Sequence, residues 1–299
     1  MSTGTSRTPG QVVVGIDGSG HARAAAYWAA AEADAQGQEL RILHAADLDR
    51  LTRFASFETV ESTRETGRVL LVEVAAAVQE RFPSLPITKA LSRKQPVPAL
   101  REAAGPQDSI VVGNRGRGGF GALMLGSVGL GVAGGTVPVV VVRGETEWSK
   151  TARVTAAVRG ATDADWLHRA AHEAQLRGAA LQLLGVRNVL GWAADSALLP
   201  GSRAQESVRQ GEQETQVLAA GIRQRFPGLA VTAEVEAGRP VAAVLVEASR
   251  HSDLLIIGGR RAEGIGPGVG RIAHALLHHS LCPVEIVPRR EAREERGIR

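Results

Sequence analysis

Gly113, Gly116, Gly126 and Ser127 are spaced as G-x2-G-x9-G-[ST], within the stretch Gly113-Asn-Arg-Gly-Arg-Gly-Gly-Phe-Gly-Ala-Leu-Met-Leu-Gly-Ser127. Glycines that follow a strand let backbone N–H groups close on an anion with no Cβ in the way. A helix starting at the Gly126-Ser127 pair would add its positive end, and Ser127 could cap that helix or donate to a phosphate oxygen. Arg115 and Arg117 are placed to compensate anionic charge. A carboxylate, Asp17, closes the run Val12-Val-Val-Gly15-Ile-Asp17, where it could accept from a polar ligand edge. Alone, Asp17 reads as a turn residue ahead of a helix. Paired with the glycine loop, it reads as part of a site for a phosphate-bearing ligand.

Two familiar phosphate loops do not fit. Gly116-Arg-Gly118-Gly-Phe-Gly121 matches G-x-G-x-x-G, but the dinucleotide version needs an acidic residue about 20 positions on. That region here is Val139 to Val142. No G-x-x-x-x-G-K-[ST] occurs. His168/His172 and His274/His278 have the i,i+4 spacing that places two rings on one helix face, yet neither pair has an adjacent Glu or an evident third ligand. They read as helix-surface residues, and His44 as a strand residue. No nucleophile–His–acid set emerges from spacing.

The elements that would hold these residues alternate. Gln11 to Asp17 is a β-branched run predicting a strand buried on both faces. Ser19 is placed to cap an Ala-rich helix, His21 to Gln36, which Gly37 ends. A strand over Leu40 to Ala46 follows, then an irregular polar stretch to Phe57. A helix over Glu58 to Arg81 stops at Phe82-Pro83. Ile87 to Leu91 is a strand, Val97 to Ala104 a helix, Ser109 to Val112 a strand, Ser127 to Gly134 a helix and Val137 to Arg143 the fifth strand. Such alternation predicts right-handed βαβ units in an open parallel sheet.

The pattern then begins again. Phe226-Pro227 repeats Phe82-Pro83, Asp253-Leu-Leu-Ile-Ile-Gly258 repeats Asp108-Ser-Ile-Val-Val-Gly113, and Cys282-Pro-Val repeats Val137-Pro-Val. The spacings agree as well: 138 − 113 and 283 − 258 both give 25 residues. This is a tandem duplication. The predicted organisation is a first domain over 8–146 with an intact loop, a second over 151–290 with a degenerate one, and a charged tail over 291–299. In the second copy Asp17 aligns with Arg159, Gly116 with Arg261, Gly126 with Arg271 and Ser127 with Ile272. Side chains there occupy positions where backbone would have to approach phosphate. The second copy is therefore expected to be a structural partner; an alternative is that Arg159, Arg260, Arg261 and Arg271 bind a different anion.

Composition narrows the class. The chain has 299 residues, 44% hydrophobic but only 3% aromatic, so its cores are built from Ala, Val and Leu. A net charge of +4 spread over both halves argues against nucleic acid. The single cysteine, Cys282, excludes an intrachain disulfide framework, fits a reducing compartment and reads as a buried filler. The polar N-terminus and the glycine-broken run from Val128 to Val142 predict neither a leader nor a membrane span. The expectation is a cytoplasmic protein.

The loop, the Val-Val-Val-Gly-Ile-Asp-Gly-Ser start and the Val137-Pro-Val-Val-Val-Val end together resemble the universal stress protein family over both halves. The resemblance implies a flavodoxin-like (Rossmann-like) α/β fold in each half, strand order 3-2-1-4-5, with ATP across the carboxyl ends of strands 1 and 4. It places Gly15 and Asp17 at adenine or ribose, and Ala45 or Ala46 at the adenine slot. Val112, Gly113, Arg115 and Gly116 would meet ribose and proximal phosphates; Gly126, Ser127 and Val128 the distal phosphates, with or without Mg. One departure is Arg93-Lys-Gln-Pro96, where relatives show a Gly-x-Pro turn that the second half keeps as Gly238-Arg-Pro240. The implied function is a nucleotide-dependent stress or dormancy regulator with one ATP in the first domain, at most weakly hydrolytic. Alternatives are a nucleotide hydrolase on the same loop and a nucleotide-independent scaffold. Exposed last strands, Val137 to Val142 and Val284 to Val287, would need covering, which predicts mutual pairing and a homodimer.

Overall fold

The structure, a computed structural model, describes residues 10–116, 126–144, 150–187, 200–259 and 269–289, with backbone alone for 200–203. Two compact units are present, Met1–Glu147 and Trp148–Arg299.

In the first unit the continuous apolar runs become strands, as a sheet covered on both faces requires. These are β1 (Gln11–Ile16), β2 (Glu39–Ala45), β3 (Ile87–Ser92), β4 (Ser109–Gly113) and β5 (Val139–Val142), in the order β3-β2-β1-β4-β5 and all parallel. Between them lie helices α1 (Gly20–Gln36), α2 (Leu48–Leu51), α3 (Phe57–Arg81), α4 (Pro96–Ala103) and α5 (Ser127–Ala133). Val12, Val13 and Val14 have no exposed surface, and α1 meets the sheet through Ala25, Ala26, Ala29, Ala30 and Ala33, also fully buried. Small side chains let helix and sheet backbones approach closely, so a core poor in aromatics can still fill its space. Ser19 caps α1 by accepting from Ala22 N at 3.1 Å. Gly37 ends it in the left-handed region at φ 62, where glycine carries no Cβ penalty.

One expected loop is partly ordered. The stretch predicted irregular contains the one-turn helix α2, anchored by Leu48 at 1% exposure and preceded by Asp47 at φ 48. Burial of a single leucine organises a segment whose local pattern is polar. At the close of the unit, β5 is confined to the four fully ladder-bonded valines rather than running to Arg143.

The second unit repeats the plan with β6 (Arg153–Val158), α6 (Ala164–Leu176), β7 (Ala180–Arg187), α7 (Pro200–Arg225), β8 (Val231–Ala237), α8 (Val241–Ala248), β9 (Leu254–Gly258), α9 (Gly270–His279) and β10 (Val284–Val287). Its parallel order is β8-β7-β6-β9-β10, the same switch-point topology. The α/β class with an open parallel sheet is thus as the sequence predicts. Short 3-10 turns at Ala161–Asp163 and Ser249–His251 precede α6 and follow α8. Cys282 is 3% exposed and its thiol is pushed up to about 12 by burial, so it is a filler and not a nucleophile. Among the described residues no helix is long and apolar enough to cross a membrane, and no group of three or more His, Cys, Asp or Glu could hold a metal ion. The His274 and His278 rings instead pack on each other, centroids 4.4 Å apart.

Candidate functional site

In an open parallel sheet the strand order reverses between β1 and β4, leaving a crevice at their carboxyl ends. Asp17, the residue after β1, stands there. Its Oδ1 accepts from Ser19 N–H at 3.0 Å and from the Ser19 hydroxyl at 2.7 Å. This turn, with Gly18 at φ 85, fixes the carboxylate. The other oxygen faces the second loop: a Cβ added to Gly116 would lie 2.5 Å from Asp17 Oδ2. Asp17 is therefore both the turn residue and a neighbour of the glycine loop. The β1–α1 and β4–α5 connections meet at this pair.

The three motif glycines separate by what surrounds them. At Gly113 a Cβ would come within 2.8 Å of the backbone C and O of His21, so close approach of β4 to α1 demands glycine for the fold itself. We expect Gly113→Ala to lower stability by about 1–3 kcal/mol through overpacking against immovable backbone, measured by denaturant unfolding. At Gly116 the obstacle is the end of the Asp17 side chain, which can rotate. At Gly126 nothing among the described residues is nearer than 3.7 Å. The nearest atoms are Asn114 O, Arg115 Cα and Gly116 N, at 3.7–3.8 Å. An added Cβ would stand in ordinary contact with the loop's own backbone, so among the described residues packing does not demand glycine there. Gly126 N–H donates to Asn114 O at 2.9 Å, and Asn114 N–H to Val142 O at 2.9 Å, which holds both ends of the loop against β5.

The remaining expected residues divide in the same way. Gly15 faces Leu100, with its methyl carbons 3.1 and 3.2 Å from an added Cβ, so packing against α4 accounts for that glycine and only its backbone faces the crevice. Val112 is 3% exposed and likewise offers backbone alone. Ala46 follows β2, half-buried, its N–H donating to Ser92 O at 2.9 Å. Val128 is half-buried and Ser127 exposed. Ser127 does not cap α5: the N-cap is Gly126, in extended conformation, and Ser127 is the first helical residue. With the cap at Gly126, the helix starts at Ser127, one residue earlier than a serine cap would start it. Arg117 lies outside the described residues.

Three features went unread in the sequence. Arg143 follows β5 half-buried; burial, and after it the nearby Arg115 guanidinium, push its pKa below the usual arginine range. Two cations thus share the outer end of the crevice. Asn114 is 5% exposed, and its Oδ1 has no hydrogen-bond partner. Because an amide can be turned over, that position can present an acceptor or a donor to a bound group. His44 is more than a strand residue, as its Nδ1–H donates to Ile16 O at 2.8 Å, just before Asp17. Strand register, not spacing, brings Arg143 and His44 here, which is why the sequence does not show them.

At the corresponding strand ends of the second unit the protein's own side chains pair with one another. Asp163, fully buried, accepts from Arg159 N–H at 2.5 Å and from Trp166 Nε1–H at 3.2 Å, and pairs with Arg289. Arg289 is pushed down to about 10 by burial and by Arg159, so it stays charged at neutral pH and the pair is ionic. Trp166 Nε1 and Arg289 Nε lie 2.6 and 2.9 Å from where a Cβ on Gly258 would stand. Arg187 donates to Arg159 O at 2.8 Å and pairs with Glu214 at 2.8 Å. Helix α9 begins at Gly270, so Arg271 lies inside its first turn, whereas the aligned Gly126 caps α5 from outside. Arg260 and Arg261 lie outside the described residues.

Comparison with known proteins agrees with the duplication. The model of the universal stress protein family matches twice, over residues 10–143 and 151–288. A universal stress protein of Mycolicibacterium smegmatis is 41% identical over 140 residues, 46% of this chain and 46% of that one. The aligned stretch therefore spans about half the length of such relatives. A universal stress protein of Mycobacterium tuberculosis is 27% identical over 287 residues, 91% of this chain and 95% of the relative. A solved universal stress protein structure from Archaeoglobus fulgidus has the same fold, with a TM-score of 0.65 at 19% identity, covering 94% of this chain and 98% of that one.

Proposed function

The chain belongs to the universal stress protein family, and we propose that its first unit binds ATP while its second does not, the bound nucleotide biasing which partner the protein engages under stress or in dormancy. The observation that carries this reading is Gly126: among the described residues packing does not demand that glycine, and its Cβ position adjoins the backbone of Asn114, Arg115 and Gly116, beside the Asp17–Gly116 contact. The donor set fits a nucleotide. Asp17 would accept from ribose or base, backbone of Gly113 and Gly116 would approach the proximal phosphates, and Gly126, Ser127 and Val128 would meet the distal ones, with Arg115 offsetting charge. Gly15 and Ala46 would border the base. Any Mg would be held by the phosphates rather than by a protein cage, as is usual for that ion.

In the second unit an ionic side-chain pair stands at the strand ends and a helical arginine replaces the N-cap glycine, which supports its role as a structural partner. The protein so described is cytoplasmic and a homodimer assembled through last strands. ATP turnover is expected to be weak at most, because Asp17 already serves Ser19 and the ribose side. Titration of the full chain with ATP, followed by assay of released phosphate, tests the reading. Saturable binding without turnover supports it, and absence of binding overturns it.

A further inference from the structure

The proposed ligand would lie across strands in sequence, from Asp17 after β1, over Gly113 and Arg115 after β4, towards β5. Adjacent strands are about 4.8 Å apart, so the distance from β1 to β5 is about 10 Å, comparable with the reach from a ribose to a third phosphate. The residue at the far end of that path is Arg143. Its placement follows from the ladder: Gly113 pairs with Val142, and Asn114 N–H donates to Val142 O at 2.9 Å, so Arg143 stands beside Asn114 and Arg115. Half-burial and the nearby Arg115 guanidinium both disfavour the charge on Arg143, so that guanidinium is held beside a second cation. Such an arrangement suits a polyanion better than a single phosphate, since each added phosphate brings charge to the second cation. The second unit lacks the arrangement. Pro288 aligns with Arg143, and the next residue, Arg289, is committed to Asp163.

We infer that Arg143 is a specificity-determining ligand for the outer phosphates, so that the first unit discriminates nucleotides by phosphate number, preferring ATP to AMP. This rests on the nucleotide reading above and goes beyond it by assigning the preference to one side chain.

The test is calorimetric titration of the full chain, wild type, Arg143→Gln and Arg143→Lys, with ATP and with AMP, at two salt concentrations. Wild type is expected to bind ATP more tightly than AMP. Arg143→Gln should weaken ATP by about tenfold or more and AMP by less than about twofold, as loss of one charge-assisted contact to the outer phosphates requires. Arg143→Lys should recover part of the ATP affinity, and the salt dependence of ATP binding should flatten in Arg143→Gln. Equal losses for ATP and AMP would assign Arg143 a structural role and overturn the inference. So would unchanged ATP affinity, or a wild type that binds AMP as tightly as ATP; in those cases the nucleotide site itself stands. A wild type that binds neither nucleotide overturns both readings.

Discussion

Asp163→Ala is expected to destabilise the second unit by about 3–5 kcal/mol, the range for removing one partner of a buried ion pair and stranding the other charge. Arg289 would keep its charge in a largely buried position, Arg159 N–H would lose its acceptor, and Trp166 Nε1–H would lose its own. Equilibrium denaturation followed by tryptophan fluorescence is the appropriate measurement, because Trp166 touches Asp163 directly and is 2% exposed. Arg289→Ala should cost less, since Asp163 then retains two N–H donors, and the double variant should lose less than the two single losses together. A loss within about 0.5 kcal/mol for Asp163→Ala, the range of an ordinary surface change, would show that this group does not hold the strand ends of the second unit. The result bears on function as well. If that ionic group is integral to the fold, the second copy has given up its ligand crevice for internal stability.

The second large effect concerns Gly126. Gly126→Arg copies the residue of the second unit into the first, and is expected to reduce ATP affinity by about a hundredfold or more, near 2.7 kcal/mol. The side chain would start beside Asn114 O, Arg115 Cα and Gly116 N, the backbone assigned to the phosphates. Stability should change by less than about 1 kcal/mol, because φ −64 and ψ 145 suit any residue and an added Cβ meets nothing among the described residues nearer than 3.7 Å. This separation makes Gly126 a better probe than Gly113, where loss of binding and loss of fold would arrive together. It is also cleaner than Gly116, whose substitution displaces the Asp17 carboxylate. Binding within about threefold of wild type in a folded Gly126→Arg protein would remove the loop from the site.

How much of this is legible in the sequence depends on whether the cause is local. The valine runs at Val12 and Val139 are buried on both faces and announce central parallel strands directly. The equal spacing from Gly113 to Pro138 and from Gly258 to Pro283 is enough by itself to expose the duplication. Asp17 and the glycine loop are legible as chemistry, because acceptor and anion cradle are properties of residue types. Their contact, through Oδ2 and Gly116, arises only when β1 and β4 become neighbours. What stays hidden is non-local. Gly15 and Gly113 look like ligand glycines until the fold packs Leu100 and the α1 backbone against them. Ser127 looks like a cap, but the chain leaves the loop extended at Gly126 and the cap falls there. Arg143 reads as the end of a strand until the ladder sets it beside Arg115, and Asp163 gives no hint of Arg289, which follows it by 289 − 163 = 126 residues.

The most direct test of the central claim, one working crevice and one closed one, is the stoichiometry of ATP binding to the full 299-residue chain by isothermal calorimetry. The proposed function predicts one ATP per chain, lost in Gly126→Arg and retained in Arg271→Gly. Two ATP per chain, or a single site that survives Gly126→Arg, would contradict it.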